Sequence, residues 1–151
     1  MKVDEFVRLY KENRNKEQFC ERHVIKKYVP FTTKLTECEN VVKSTMNVLN
    51  EDGTTTFRQN TPVRFLLFHM TMIKWYTDVE IEDIVKDYDT LDESGAFDTL
   101  VSKLPMHEFK EFSTILSMAV DDYISNNRTV LSAIDNMMTT LLTVKGIEKN
   151  G

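Results

Sequence analysis

The stretch from Asn60 to Asp78, NTPVRFLLFHMTMIKWYTD, constrains the fold of this chain more than any other. Asn60 is suited to accept a hydrogen bond from a free amide at a helix start, and Pro62 is tolerated in the first turn because its missing N–H is not needed there. Wound as a helix, the stretch carries apolar side chains around almost its whole circumference, which is typical of a helix inside a core. The sequence therefore predicts a buried central helix at 62–77.

Composition supports a helical protein built around this segment. The chain has 151 residues, which is long enough for one self-sufficient core. Its 41% hydrophobic and 28% charged residues are ordinary fractions for a globular protein. Only 4 glycines and 3 prolines are present, which disfavours turn-rich β folds. We therefore expect an all-α helical bundle in a single domain over 1–151. Residues 1–30 are candidates for an N-terminal arm, and 147–151 for a frayed tail.

Three helices are predicted before the central one. Apolar spacing predicts the first over residues 3–12. A second begins with Asn15 as its cap and stops before Pro30, because a residue that precedes proline is pushed out of the helical region. The third is capped by Thr32 or Thr33.

The connections to the central helix carry their own turn signals. Segment 50–59 contains Asp52-Gly53 and residues with strand propensity, and it favours either a small hairpin or a mobile loop. After the central helix, apolar spacing predicts two short helices separated by a break at 92–95.

The C-terminal third carries a heptad pattern of apolar residues, called the seam below. Its members are Phe109, Leu116, Tyr123, Val130, Met137 and Val144, with Ile134 and Leu141 at intervening positions. One long helix over about 106–145, ended by Gly146, is preferred to two helices joined at 125–128, because that segment lacks Gly and Pro and keeps the heptad phase. Such a helix is about 60 Å long. A compact domain of this size is too small to cover that whole length. We therefore expect it to pair with a partner in a homo-oligomer.

Charge is unevenly distributed along the chain, whose formal net charge is -5. Residues 1–45 hold ten Lys or Arg and seven Asp or Glu, whereas window 78–98 holds nine carboxylates and Lys86. The acidic window is either a solvated face or a contact surface for another copy or a basic partner. The candidate interaction residues are Tyr123, Val130, Ile134, Met137, Leu141, Glu80, Asp83 and Asp87.

Patterns for catalysis and metal binding are incomplete. Cys20-x-x-His23 is half of a zinc motif without a second pair. Asp87-x-Asp89 begins like a calcium loop, but the next required positions are Leu91 and Asp92. A histidine at 69, on the apolar central helix, is expected to bond to a neighbouring carbonyl. We therefore predict no catalytic residues, no metal site, no cofactor and no enzymatic activity.

Nucleic-acid and membrane binding are disfavoured. Basic and aromatic residues alternate over 10–28, but three glutamates dilute them, and a pI near 5.2 opposes a phosphate-binding surface. The apolar run at 63–76 is too short to span a bilayer. Two cysteines without a signal peptide fit a reducing, intracellular compartment.

Four strings carry a resemblance to a known group of proteins: KKYVPF at 26–31, NTPVRFLL at 60–67, WYTDVEI at 75–81 and DDYISNNR at 121–128. Together they resemble small α-helical proteins encoded by phages and prophages of low-GC Gram-positive bacteria, in or near virion-assembly gene clusters. The resemblance implies a non-enzymatic structural or assembly protein, such as a head-to-tail connector component or a tail-assembly factor. Its partners would be other virion proteins or itself, in the host cytoplasm or the virion.

Two other functions remain open at this point. One is a phage-encoded inhibitor of a host or defence protein, whose acidic window imitates phosphate charge. Nucleic-acid binding ranks behind it.

Overall fold

A computed structural model describes the backbone of residues 1–150 and the side chains of residues 1–47, 50–127, 137 and 141. This part of the chain forms an all-α protein with one small hairpin. The elements are α1 (Val3–Glu12), α2 (Lys16–His23), α3 (Phe31–Met46), β1 (Asn47–Leu49), β2 (Thr55–Phe57), α4 (Thr61–Tyr76), α5 (Ile84–Glu93), α6 (Ala96–Ser102) and α7 (Met106–Asn150). The chain divides into two compact units, Met1–Leu116 and Ser117–Gly151. The expectation of a single domain stays a prediction.

The two N-terminal helices begin and end close to their predicted positions. Helix α1 covers the predicted residues and buries one apolar face. Helix α2 is capped as expected, because the Asn15 side chain accepts a hydrogen bond from the Gln18 amide at 3.0 Å. Phe19 and Cys20 of α2 are buried beside Phe6 in the core of the first unit. Residues 1–30, the candidate arm, thus supply side chains to this core.

The predicted cap of α3 is wrong. The helix begins at Phe31, with Pro30 at the cap position and no side-chain cap bond, so that Thr32 and Thr33 lie inside the first turn. The Pro30 carbonyl accepts the first helical hydrogen bond, from the Lys34 amide at 3.0 Å. The fixed φ of proline, here -57°, already suits a chain entering a helix.

The central helix α4 begins as predicted, since the Asn60 side chain accepts a hydrogen bond from the Val63 amide at 3.3 Å. One face of its second half is buried, with Met72, Ile73 and Tyr76 fully covered, whereas Lys74 is exposed. The expectation of burial along the whole helix is wrong for the first turns, where Val63 and Phe65 are exposed. A helix with apolar side chains on all sides can be buried, but the elements that pack around it determine how much of its length is buried.

A hairpin forms in the connection between α3 and α4. Strands β1 and β2 pair antiparallel, with Val48 opposite Thr56. The turn needs Gly53, whose φ is +83°, and the Asp52 carboxylate accepts hydrogen bonds from the amide and hydroxyl of Thr54. Of the two predicted alternatives, the hairpin is therefore confirmed.

Helices α5 and α6 meet at Gly95, whose φ of +79° places it in the left-handed region. The hydroxyl of Tyr10 donates to the Gly95 carbonyl at 3.3 Å or bonds with the Thr99 hydroxyl at 3.0 Å, which ties α1 to this corner. The predicted break is therefore confirmed, and it is also a packing site.

Helix α7 is one continuous element, as preferred from the heptad phase. The predicted stop at Gly146 is wrong, because the helix continues to Asn150. Glycine permits the left-handed cap that ends many helices but does not impose it. Residues 147–150, which were predicted to form a frayed tail, are therefore part of α7. Gly151 lies outside the described residues.

Candidate interaction surfaces

The seam of α7 differs between the two compact units. In the first unit the seam residue Leu116 is buried, as are its neighbours Phe112 and Ile115, and the ring of the seam residue Phe109 lies 5.4 Å from the Phe68 ring. In the second unit, Met137 and Leu141 are 66% and 59% exposed. These two are an i, i+4 pair on one helical face. The seam therefore presents apolar side chains to solvent in its distal part.

Other members of the seam are only partly described. Tyr123 is half-buried, and its carbonyl accepts a hydrogen bond from the Asn127 side chain at 2.8 Å. The side chains of Val130 and Ile134 lie outside the described residues.

The three acidic candidates make contacts within the chain. Glu80 pairs with the N-terminal ammonium at 3.3 Å. The Asp83 side chain caps α5 by accepting from the Lys86 amide at 3.1 Å. The Asp87 carboxylate in turn accepts a hydrogen bond from the Asp83 amide at 3.0 Å. Each of the two carboxylates thus bonds to a backbone amide at the start of α5, where amides lack an acceptor within the helix. Their local roles thus explain part of the acidic sequence pattern.

A second acidic set on α5 faces solvent. Val85, Asp89 and Asp92 follow the i, i+4, i+7 spacing of one helical face, called the acidic face of α5 below. Val85 is 60% exposed and the two carboxylates are exposed as well. Sequence reasoning selected the acidic window but not these positions.

An exposed patch lies at the connection from α2 to α3, and part of it was considered from the sequence only as a nucleic-acid-binding surface. It is called the basic apolar patch and consists of Ile25, Lys26, Lys27, Tyr28 and Phe31. The three large apolar side chains are 58%, 66% and 55% exposed, and both lysines are exposed. The basic and aromatic residues over 10–28 were visible in the sequence, but their exposure together with Ile25 and Phe31 depends on the tertiary structure.

A buried ion pair anchors the element that follows this patch. Lys34 of α3 is fully buried and pairs with Glu108 of α7, which is also buried, and with Glu111 at 3.4 Å. Burial by itself lowers the pKa of Lys34, but the hydrogen bonds and charges of Glu108 and Glu111 outweigh it, so that the net pKa is raised. The cluster holds the start of α7 against α3.

The same carboxylate fixes the patch itself. Glu108 Oε1 accepts a hydrogen bond from the Val29 amide at 3.0 Å, and Val29 is buried. Near it, the Tyr76 hydroxyl is buried without a hydrogen bond of normal geometry among the described residues. Burial, followed by the charge of Glu108, raises the pKa of Tyr76.

The histidines have structural contacts. His69 lies 2.8 Å from the Phe65 carbonyl, which confirms the expected bond to a neighbouring carbonyl. His23 Nδ1 lies 2.8 Å from the Asp78 carboxylate, and the Asp78 amide donates to the His23 carbonyl at 3.1 Å. This pair reinforces a backbone contact between α2 and the connection after α4. No sequence signal links two residues that far apart.

The cysteines are free and buried. Burial raises the pKa of the Cys20 thiol to about 11 and that of the Cys38 thiol to about 12. Both are therefore protonated and poorly nucleophilic near neutral pH. Among the described residues, no group of three or more His, Cys, Asp or Glu side chains is placed to hold a metal ion.

Comparison with known proteins adds no relative to this picture. The sequence matches no protein-family model, no curated protein and no solved structure. Within the described part of the chain, no helix is long and apolar enough to cross a bilayer.

Proposed function

We propose that this protein is a non-enzymatic assembly factor, and that α7 is its main contact element. In this proposal the distal seam packs against the α7 seam of a second copy. The resemblance stated above supports a role in phage virion assembly, as a head-to-tail connector component or a tail-assembly factor.

The exposure of Met137 and Leu141 carries the proposal. Most of the stability of a helix in a protein comes from packing its amphipathic face, and the seam supplies such a face. Apolar residues at heptad positions form the buried interface when two helices supercoil. The same repeat is buried within the first unit at Leu116, so that one pattern serves contacts inside the chain and, we propose, between copies.

The polar groups support a contact role more than a catalytic one. His69, Asp83 and Glu108 each bond to backbone groups and stabilise local structure. General acid–base catalysis instead requires a titratable group directed at a substrate in a cleft.

The proposal is tested by substituting charged residues into the seam and measuring the mass of the protein in solution. We expect the native protein to be oligomeric in light scattering coupled to size exclusion, and Met137→Glu/Leu141→Glu to reduce the mass. The reason is that a glutamate in an apolar interface loses hydration without a partner.

Met118→Glu is the matched control, because Met118 is 60% exposed on α7 but lies two residues beyond the seam position Leu116. It should leave the mass unchanged. A native protein that is monomeric at every concentration tested, or variants that behave alike, would contradict the proposal.

A further inference from the structure

The basic apolar patch brings three exposed large apolar side chains into one short segment. Ile25, Tyr28 and Phe31 are each more than half exposed and lie within seven residues of one another. Contiguous exposed apolar groups bordered by charge are typical of interaction sites. Aromatic side chains such as Tyr28 are also enriched at such sites.

The backbone beneath the patch is held by contacts on both sides. The amides of Ile25 and Lys26 donate to the Tyr76 carbonyl at 2.8 and 3.2 Å. Further along, Val29 is buried and its amide donates to Glu108. An exposed segment fixed in this way loses little conformational entropy when a partner binds.

The lysines are also partly positioned. Lys26 Nζ lies 5.3 Å from the centre of the Trp75 ring, within the range of a cation–π interaction. Lys27 is exposed beside it. The patch therefore offers two positive charges next to three apolar side chains, and a complementary partner would combine carboxylates with apolar groups.

The acidic face of α5 has that chemistry. Val85 supplies an exposed apolar side chain, and Ile84 beside it is 38% exposed. Asp89 and Asp92 follow Val85 on the same face and are exposed. The two surfaces are thus complementary in charge, and Val85 adds an apolar group to the acidic face.

We infer that the basic apolar patch of one copy docks on the acidic face of α5 of a second copy. The contact uses residues of the first compact unit and goes beyond the proposed function, because it does not involve the distal part of α7. A contact between two different surfaces is reciprocal in a two-fold dimer, or repeats from copy to copy in a ring or filament. Opposite charges would set which surfaces meet and how fast.

Charge reversal of each surface tests the inference on the full-length chain. We expect Lys26→Glu/Lys27→Glu and Asp89→Lys/Asp92→Lys each to weaken association by more than about tenfold, because each variant faces like charge across the contact. Sedimentation velocity over a range of concentrations measures this. Circular dichroism and thermal unfolding of each variant establish that it is folded.

Mixing the two variants gives the decisive result. In the mixture the reversed patch of one variant meets the reversed α5 face of the other, so that association should return to the native level. The variant with all four changes should associate in the same way. Loss of association in both variants without rescue on mixing would overturn the inference, and so would unchanged association in either one.

Two comparisons separate this contact from the α7 seam and from a general charge effect. Measurements repeated in the Met137→Glu/Leu141→Glu background should show the same pattern of loss and rescue, whether or not the seam proposal holds. Lys11→Glu/Arg14→Glu changes net charge by the same amount at exposed positions outside the patch. This control should leave association within about twofold of native at moderate salt.

Discussion

At the scale of single residues, the buried Lys34–Glu108 ion pair connects the interior of the protein to the basic apolar patch. Both side chains are buried, and Glu108 also holds the Val29 amide beneath the basic apolar patch. A buried ion pair contributes little net stability compared with an apolar pair, but removal of one partner leaves an uncompensated charge. The pair therefore connects α3, α7 and the segment beneath the patch.

Removal of the Lys34 charge should destabilise the protein strongly. We expect Lys34→Met to lower the free energy of unfolding by about 3–5 kcal/mol, since Glu108 and Glu111 then lose their buried partner. Urea unfolding followed by circular dichroism measures the change. Lys103→Met is the control, because its ion pair with the exposed Glu17 should contribute less than about 1 kcal/mol. Equal losses in both variants would contradict this interpretation of the pair.

Stability should fall with alkaline pH because of the buried thiols. The ordinary cysteine pKa is 9.0, whereas that of Cys20 in the folded protein is about 11. The folded state thus keeps a proton that the unfolded chain releases, so that stability is unaffected below pH 9 and is lost as pH rises toward 11.

The measurement is the urea midpoint at a series of pH values from about pH 8 to about pH 10.5. In Cys20→Ala/Cys38→Ala the midpoint should decrease less steeply over this range, although the Tyr76 hydroxyl, whose pKa is also raised, keeps part of the slope. Parallel curves for the variant and the native protein would show that the thiols do not cause the loss.

At the scale of elements, helix starts are specified by local side chains in some places and by packing in others. Asn15, Asn60 and Asp83 each accept a hydrogen bond from an amide in the first turn of their helix. Helix α3 has no such bond and begins after Pro30. Its first turn is instead positioned by the ion pair of Lys34, one turn later, with Glu108 of α7.

The cap of the central helix should have a measurable effect. We expect Asn60→Ala to lower the free energy of unfolding by about 1 kcal/mol, because the Val63 amide loses its acceptor. Asn60→Asp keeps an acceptor at the same position and should remain close to native. Thermal unfolding of both variants measures the difference, and an alanine variant as stable as the aspartate variant would show that the bond contributes nothing.

At the scale of the whole molecule, stability should depend on concentration. An oligomer is stabilised by mass action, so that its melting temperature rises with protein concentration. We expect this rise in calorimetry of the native protein over about a hundredfold range, and a smaller one for Met137→Glu/Leu141→Glu. A native melting temperature that is constant over the range would count against association through either proposed surface.

The sequence predicted local features better than surfaces. The caps at Asn15 and Asn60, the turn at Gly53 and the break at Gly95 depend on neighbouring residues, and all four are confirmed. The cap of α3 and the end of α7 were predicted from residue type and are wrong, because a residue that permits a helix boundary does not require one. The proposed interaction residues on α7 and in the acidic window remain predictions.

By itself, the sequence determined that the chain is helical and where most of its helices lie, because periodicity and caps act over a few residues. Only the tertiary structure decided which apolar residues are covered. Phe31 and Val85 resemble core residues in the sequence but are exposed, whereas Lys34 resembles a surface residue and is buried. Burial depends on elements that are distant in the chain, and Lys34 is accommodated by carboxylates more than seventy positions away.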